Sequence, residues 1–307
     1  MKNLRHFEVI IVGGSYAGLS AAMALGRSLR KVLIIDSGKA CNRQTPHSHN
    51  FITQDGVAPA EISEKAKAQV LQYDTVEFLS DWVQGVMKVD QSFEIKTKND
   101  LTFTADKVLF TTGVTDVMPE IPGFSECWGI SVLHCPYCHG YEVKHENIGI
   151  LANGEVAFEL CQLIQHWTNQ LSLFTNGPAI LTAEQKAFIA QLNIEIIEKE
   201  IAELKHSAAY LEGVAFKDGT QCDLTAIFAR VETDQHCHIP AQLGCELNEQ
   251  GYLEVDFFQK TSVNGIFAAG DNTTPLRTVS IAVAAGTKAG VSINKELIGE
   301  QLSKRAN

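Results

Sequence analysis

The chain lacks a long apolar run, a basic run and a second C-x-x-C pair, and each absence removes a class of protein. Its apolar start, FEVIIVGGSYAGLSAAMALG, is broken by Gly13, Gly14, Ser15 and Gly18. That falls well short of the roughly 20 unbroken apolar residues of a membrane-spanning helix. The same stretch reads as strand, turn and helix rather than as a secretion signal, so a cytoplasmic location and no membrane partner are expected. Lys and Arg number 25 against 36 Asp and Glu, a net charge of −11. Without clustered cations to neutralise phosphates, nucleic acid is excluded as a partner. Low-complexity segments and long linkers are also missing from the 307 residues, a length that suits two domains with their own cores.

What is present is organised in two similar halves. FEVIIVGG is a β-branched run into a Gly-rich turn, AGLSAAMALGRS is a helix of small residues, and KVLIID is a second buried strand ending in Asp36. This has the length of a dinucleotide-binding βαβ unit. Residues 61–72 read as a helix. VEFLSDWVQGVMKV, SFEIKTK and LTFTADKVLFTTG then alternate as strands of an antiparallel layer, and GVTDVMPEIPGF marks a boundary. ENIGILANGEVAFELCQLIQHW and QLSLFTN repeat the pattern of strand, turn, helix and strand. Near residue 244 the pattern shifts again, and GIFAAGD leads into a last helix of small residues.

A pyrophosphate needs backbone N–H groups at a helix N-terminus with no side chain in the way. GGSYAG supplies Gly13 and Gly18, with Ser15 at the middle position, where a small hydroxyl can donate. Asp36, at the end of the second strand, is placed to accept from ribose hydroxyls.

Eight cysteines are scattered along the chain, and only Cys135 and Cys138, in HCPYCHGYE, have a spacing that suggests chemistry. Cys161 reads as a small core residue on an apolar helical face. For the pair, a zinc site, a structural staple and a redox-active thiol pair are all open on residue type alone. Zinc needs a second half-site. The one available, His236-Cys237-His238, lies about a hundred residues away in a segment that reads as a solvated loop, so no metal is expected.

With VGGSYAGLSAA at the start, TTGV at 111–114, CPYC in the middle and GIFAAGD near the end, the chain resembles the low-molecular-weight thioredoxin reductase family of flavoproteins. Order and spacing match over nearly the whole length. CPYCHGYE is similar to a branch holding bacterial thioredoxin reductase-like oxidoreductases and fungal gliotoxin-type dithiol oxidases. The resemblance implies an α/β fold of two Rossmann-like, three-layer ββα nucleotide-binding domains. An FAD-binding domain, residues 1–116 and 245–307, would be split by an NAD(P)-type domain, 117–244, that carries the cysteine pair. Gly13, Ser15, Gly18 and Asp36 would hold the ADP half of FAD. Arg43, Gln44, Thr112 and Gly113 would lie near the flavin, and Asp271 near its ribityl-phosphate region. Thr278 and Val279 would open a helix facing the flavin ring.

By the same resemblance, Cys138 exchanges electrons with the flavin and Cys135 with substrate through a mixed disulfide. Thioredoxin reductases normally have Asp after the second cysteine; here it is His139, whose imidazole suits proton transfer to and from a thiol at neutral pH. In the second half, Gly154 and Ala157 fit a G-x-G-x-x-A turn for a nicotinamide, but Ala152 replaces the first glycine. The following LFTNG carries neither the basic residues for NADPH nor an acid for NAD. The expected enzyme is an FAD-dependent thiol/disulfide oxidoreductase, with NAD(P)H as donor and a thioredoxin-like protein or a small dithiol or disulfide as partner. A dithiol oxidase using O₂, a ferredoxin-type donor and a non-catalytic flavin redox sensor are the alternatives. A homodimer is implied by the family.

Overall fold

The computed structural model describes residues 4–306. Two compact units emerge, one holding the chain up to Arg43, Phe51–Thr115 and from Thr233 onward, the other holding Gln44–Asn50 and Asp116–Glu232. In chain order the first unit begins with β1 (Arg5–Val12), α1 (Tyr16–Arg27), β2 (Val32–Asp36), α2 (Pro59–Val70) and β3 (Val76–Ser80). It goes on through β4 (Val83–Val89), β5 (Ser92–Thr97) and β6 (Thr102–Phe110) to β7 (Val114–Val117). The second unit opens with α3 (Phe124–Cys127), β8 (Val132–Leu133), α4 (Pro136–His139), β9 (Ile148–Leu151), α5 (Gly154–Ile164) and β10 (Leu171–Phe174). It continues through α6 (Ala183–Gln191), β11 (Glu195–Ile197), β12 (Ile201–Ser207), β13 (Tyr210–Phe216), β14 (Gln221–Asp223) and β15 (Ala226–Ala229). The chain returns through β16 (Glu232–Gln235), α7 (Ile239–Gln242), β17 (Ile266–Ala268) and α8 (Val279–Ala306). β7 and β16 pair as a two-stranded ribbon.

The first unit is layered around its sheet. β3, β2, β1 and β6 run parallel in that order, and β17 adds parallel to the end of β6. Alternation along β1 explains the layers, because a strand points successive side chains to opposite faces. Val9 and Ile11 pack with α1 and α8, while Ile10 and Val12 pack with Phe93, Ile95 and Phe103 of the β4–β5–β6 layer. A sheet covered on both faces needs the continuous apolar strands seen in VIIV and VLII. The antiparallel layer is smaller than the sequence suggested. β4, β5 and β6 form it, but VEFLS is β3 and lies parallel to β2 in the main sheet. Alternation alone does not report the direction of a strand.

α1 and α8 meet at close range because both present small residues. A Cβ on Gly286 would stand 2.0 Å from the Ala17 carbonyl oxygen, and one on Gly290 would stand 2.7 Å from that of Ala21. Ser20 Oγ donates to the Val283 carbonyl at 2.8 Å across the same seam.

The second unit repeats the plan with a parallel sheet ordered β11-β10-β9-β15-β8 and a separate antiparallel sheet of β12, β13 and β14. Cys161 on α5 is fully buried in its core, and burial pushes the thiol up to about 12. The return to the first unit falls at 232/233 rather than at 244/245. Ile239 and Cys237 are the reason, for Ile239 is buried in the core beneath β1 and β6 and Cys237 packs against it.

Candidate active site

In the first unit, strand register brings distant motifs to one edge. Val12 is opposite Phe110, Ile35 is opposite Val12 and Ala268 is opposite Phe110, so β1, β2, β6 and β17 all end at the same level. Gly13, Thr112, Asp36 and Asp271 therefore gather at the carboxyl edge of the sheet, where open α/β sheets bind ligands.

The first turn is built so that only glycine fits. A Cβ on Gly13, at φ 106°, would lie 2.4 Å from the Thr111 carbonyl oxygen, and one on Gly18 would lie 2.0 Å from the Gly13 carbonyl oxygen. Thr111 Oγ1 fixes the turn by donating to that Gly13 oxygen at 2.7 Å. Ser15 occupies the N-cap of α1 with no side-chain cap bond. The carboxylate of Asp36 accepts from the N–H of Gly14 at 2.8 Å and from that of Gly38 at 2.9 Å. Asp36 thus first ties the turn to the end of β2, and the remaining lone pairs of its two oxygens are available to a ribose.

Beyond β6 and β17, the hydroxyl of Thr112 and the side-chain oxygen of Asn272 are buried with no hydrogen-bond partner among the described residues. Asn272 gives its amide to the Phe110 carbonyl at 3.0 Å. Arg277 lies 3.6 Å from Asp271, and Cys41 donates to the same Asp271 carboxylate at 3.8 Å. Thr278 caps α8 by accepting from the Ile281 N–H at 3.2 Å, and Val279 is the first helical residue. Arg43 belongs to this unit and donates to the Ala40 carbonyl at 2.9 Å. Gln44 belongs to the other unit, where it packs against Gly129. Sequence reading missed Thr111 and Asn272, whose neighbours in TTG and GDN were the only local signal.

His236-Cys237-His238 is not the solvated loop expected. The His236 ring lies 5.3 Å from that of Trp82 and bonds Thr115 Oγ1 at 2.9 Å, while Cys237 packs on the core. Burial, with the charges of Lys39 and Arg43, pushes the His236 imidazole down.

In the second unit, Cys135 and Cys138 are joined in a disulfide with Cα atoms 5.3 Å apart. Pro136 pre-sets the first turn of α4, and Cys135 is its N-cap, its carbonyl accepting from the N–H groups of Cys138 and His139 at 3.2 Å. Because α4 is a single turn, the charge at its N-terminus is small and does little to activate a thiol. His139 is the basic group beside the pair. Burial, with the charge of His49 adding to it, pushes its imidazole down to about 4. The segment 44–50 brings His49 there: the two rings lie 6.4 Å apart, edge to face. No local pattern linked residues 90 positions apart.

The second turn differs from the first. Gly154 opens α5 at φ 63°, and Ala157 is fully buried beneath it. Asn153 holds the turn through its side chain. Its oxygen accepts from the N–H groups of Gly154 and Ile180, both at 2.8 Å, and its amide donates to the Pro178 and Thr175 carbonyls at 3.0 and 3.3 Å. Glu155 follows in the first turn of the helix.

A sequence profile of the pyridine nucleotide-disulphide oxidoreductases matches residues 7–286. The chain belongs to that family. Thioredoxin reductase tcpT of Claviceps purpurea is 34% identical over 307 residues, 95% of each chain. Thioredoxin reductase sirT of Leptosphaeria maculans is 30% identical over 323 residues, covering 98% of this chain and 97% of that one. Among solved structures, an oxidoreductase from Agrobacterium tumefaciens superposes with a TM-score of 0.90 at 35% identity, over 95% of this chain and 99% of that one. The chain is therefore a thioredoxin reductase-like flavoprotein disulfide oxidoreductase with two Rossmann-like nucleotide-binding folds. Its family uses FAD, with NAD(P)H as the electron donor. The first unit fits FAD on its own geometry: a glycine cradle at a helix N-terminus and buried, unpartnered acceptors at Thr112 and Asn272. No helix among the described residues is long and apolar enough to cross a membrane.

Proposed function

We propose that this enzyme passes two electrons between FAD and the Cys135–Cys138 disulfide, and from there to or from a thioredoxin-like protein or a small dithiol or disulfide. The observation that carries this reading is a disulfide, flanked by a half-buried imidazole, in a family that works by disulfide chemistry. Gly13, Ser15, Gly18 and Asp36 hold the ADP half of FAD, with Asp271 at the ribityl-phosphate region. Arg43, Gln44, Thr112, Gly113, Thr278 and Val279 serve the flavin end. When bound, FAD supplies the two-electron exchange. Cys138 is the sulfur that faces that exchange, Cys135 the one that forms the mixed disulfide, and His139 takes and returns the thiol proton. The first unit is the FAD domain and the second the NAD(P)-type domain. The enzyme works in the cytoplasm as a homodimer.

NAD(P)H is the proposed donor, held at Gly154 and Ala157. One observation favours a second direction, in which a dithiol substrate gives its electrons to the disulfide and O₂ is the final acceptor. The N–H of Gly154, which a dinucleotide pyrophosphate requires, is taken by Asn153, and no basic residue follows β10 in LFTNG. Anaerobic mixing separates the two. Bleaching of the flavin absorbance by NADPH or NADH supports the reductase. Bleaching by dithiothreitol alone, with none by either nicotinamide, supports the oxidase. In either direction Cys135→Ser or Cys138→Ser abolishes exchange with thiols by at least about a hundredfold, as both sulfurs are needed for a mixed disulfide to resolve. Unchanged exchange in both variants would refute the assignment.

A further inference from the structure

The disulfide has a second layer that the expected site residues leave out. His49 lies edge-on to His139 with ring centres 6.4 Å apart, and its Nε2 stands 3.5 Å from Oε1 of Glu142, just past α4. The His47 ring lies 6.5 Å from that of His49. These residues come from two stretches of the chain: 47 and 49 from the 44–50 segment, 139 and 142 from the chain around the cysteine pair. A carboxylate beside an imidazole favours its charged form, and a charged imidazole beside a second one disfavours a proton there.

We propose that His49, braced by Glu142, is a positioning residue that governs when His139 can take a proton from a thiol attacking the Cys135–Cys138 disulfide. The inference rests on the pair being redox-active. In the step concerned, a substrate thiol loses its proton to the His139 imidazole, and its sulfur bonds one cysteine sulfur. The Cys135–Cys138 bond breaks and the other cysteine leaves as thiolate. No electrons are gained or lost overall, and the thiolate and the new imidazolium offset each other. A proton acceptor is useful only if it is empty when the thiol arrives. With the disulfide closed, burial first and the neighbouring His49 second keep His139 empty; once the disulfide opens, the thiolate makes room for the proton. The titratable groups bearing on this arrangement are His47, Glu142 and the cysteines themselves, with His134 next to Cys135 in the chain.

The test uses the holoprotein in its disulfide form, following histidine ring resonances by NMR as pH is varied. His139 is assigned by its absence in His139→Gln. In the wild type it stays neutral through pH 5. In His49→Gln, which keeps bulk and loses charge, its proton affinity rises about tenfold, a midpoint shift of about one unit. Glu142→Gln, at a half-exposed position that folding tolerates, moves it the same way. The double variant moves it no further than His49→Gln alone, because the carboxylate acts through His49. The pH profile for opening of the disulfide by dithiothreitol shifts its acid limb upward in step. If His139 titrates identically in all four proteins, or if the two single shifts add, the inference is overturned. Loss of thiol exchange with dithiothreitol in wild-type protein would instead refute the underlying reading of the pair, whatever the resonances do.

Discussion

At His139 the folded chain holds an imidazole neutral down to about 4, by burial first and the charge of His49 second. The unfolded chain protonates the same ring near 6.5. Between these values the unfolded state binds a proton that the folded state refuses, so the stability tied to this residue is full above about 6.5 and is lost as pH falls toward 4. Urea melts at pH 7, 5.5 and 4.5 check this: His139→Gln should lose less stability on acidification than the wild type does. Asn153 offers a second prediction. Its four hydrogen bonds tie the start of α5 to the 175–180 loop, and Asn153→Ala leaves the part-buried Gly154 N–H and Thr175 carbonyl without those partners. A cost of about 2 kcal/mol is expected in the same melts. At this scale the sequence was legible where function depends on near neighbours. Cys135, Cys138 and His139 are adjacent in HCPYCHG, and Gly13 and Gly18 announce a turn by themselves. His49 and Asn153 were not legible, because the work of each depends on partners that only the folded chain supplies.

The packing of α1 on α8 was readable as composition before it was visible as geometry. Runs such as AGLSAAMALG and AVAAGTKAG have too little side chain for an ordinary helix contact, and they occur at the two ends of the chain. The structure adds which small residues matter. Gly286 meets the Ala17 carbonyl oxygen directly, whereas a Cβ on Gly299 of the same helix would meet nothing within 4 Å. Gly299→Ala should therefore stabilise the protein by up to ~1 kcal/mol through helix propensity. Gly286→Ala, with equal propensity, should destabilise it by about 3 kcal/mol, because the backbone cannot yield without parting the helices. Thermal melts of the two variants at matched flavin content measure the difference. Strand direction was the part of this unit that stayed hidden. VEFLS and VQGVMKV carry similar alternation, yet β3 joins the parallel sheet and β4 the antiparallel layer. A crossover helix and a short turn decide between them, and α2, in the chain between β2 and β3, is what makes the parallel pairing reachable.

For the molecule as a whole, the outer face of α8 bears on the proposed homodimer. Lys288, Val291, Lys295, Ile298 and Leu302 recur at helical spacing of three and four, and Val291 is 59% exposed. Beside them Phe257 is 73% exposed, and the two lysines stand over the rings of Phe257 and Phe258 at 4.3 and 5.9 Å. A strip of this kind is too apolar for water and too cationic for a core. It suits a second copy of a chain whose net charge is −11, since lysines on one copy can meet acids on the other while the apolar residues pack. In a two-fold contact every substitution acts twice, with the two altered patches facing each other. Val291→Glu combined with Ile298→Glu should weaken self-association by at least about a hundredfold. Sedimentation velocity at micromolar concentration, followed at the flavin band, should then show the wild type as a dimer and the variant as a monomer that keeps its flavin. A variant that remains dimeric with its flavin intact would move the interface away from α8, because two new carboxylates per copy could not be buried against their own counterparts.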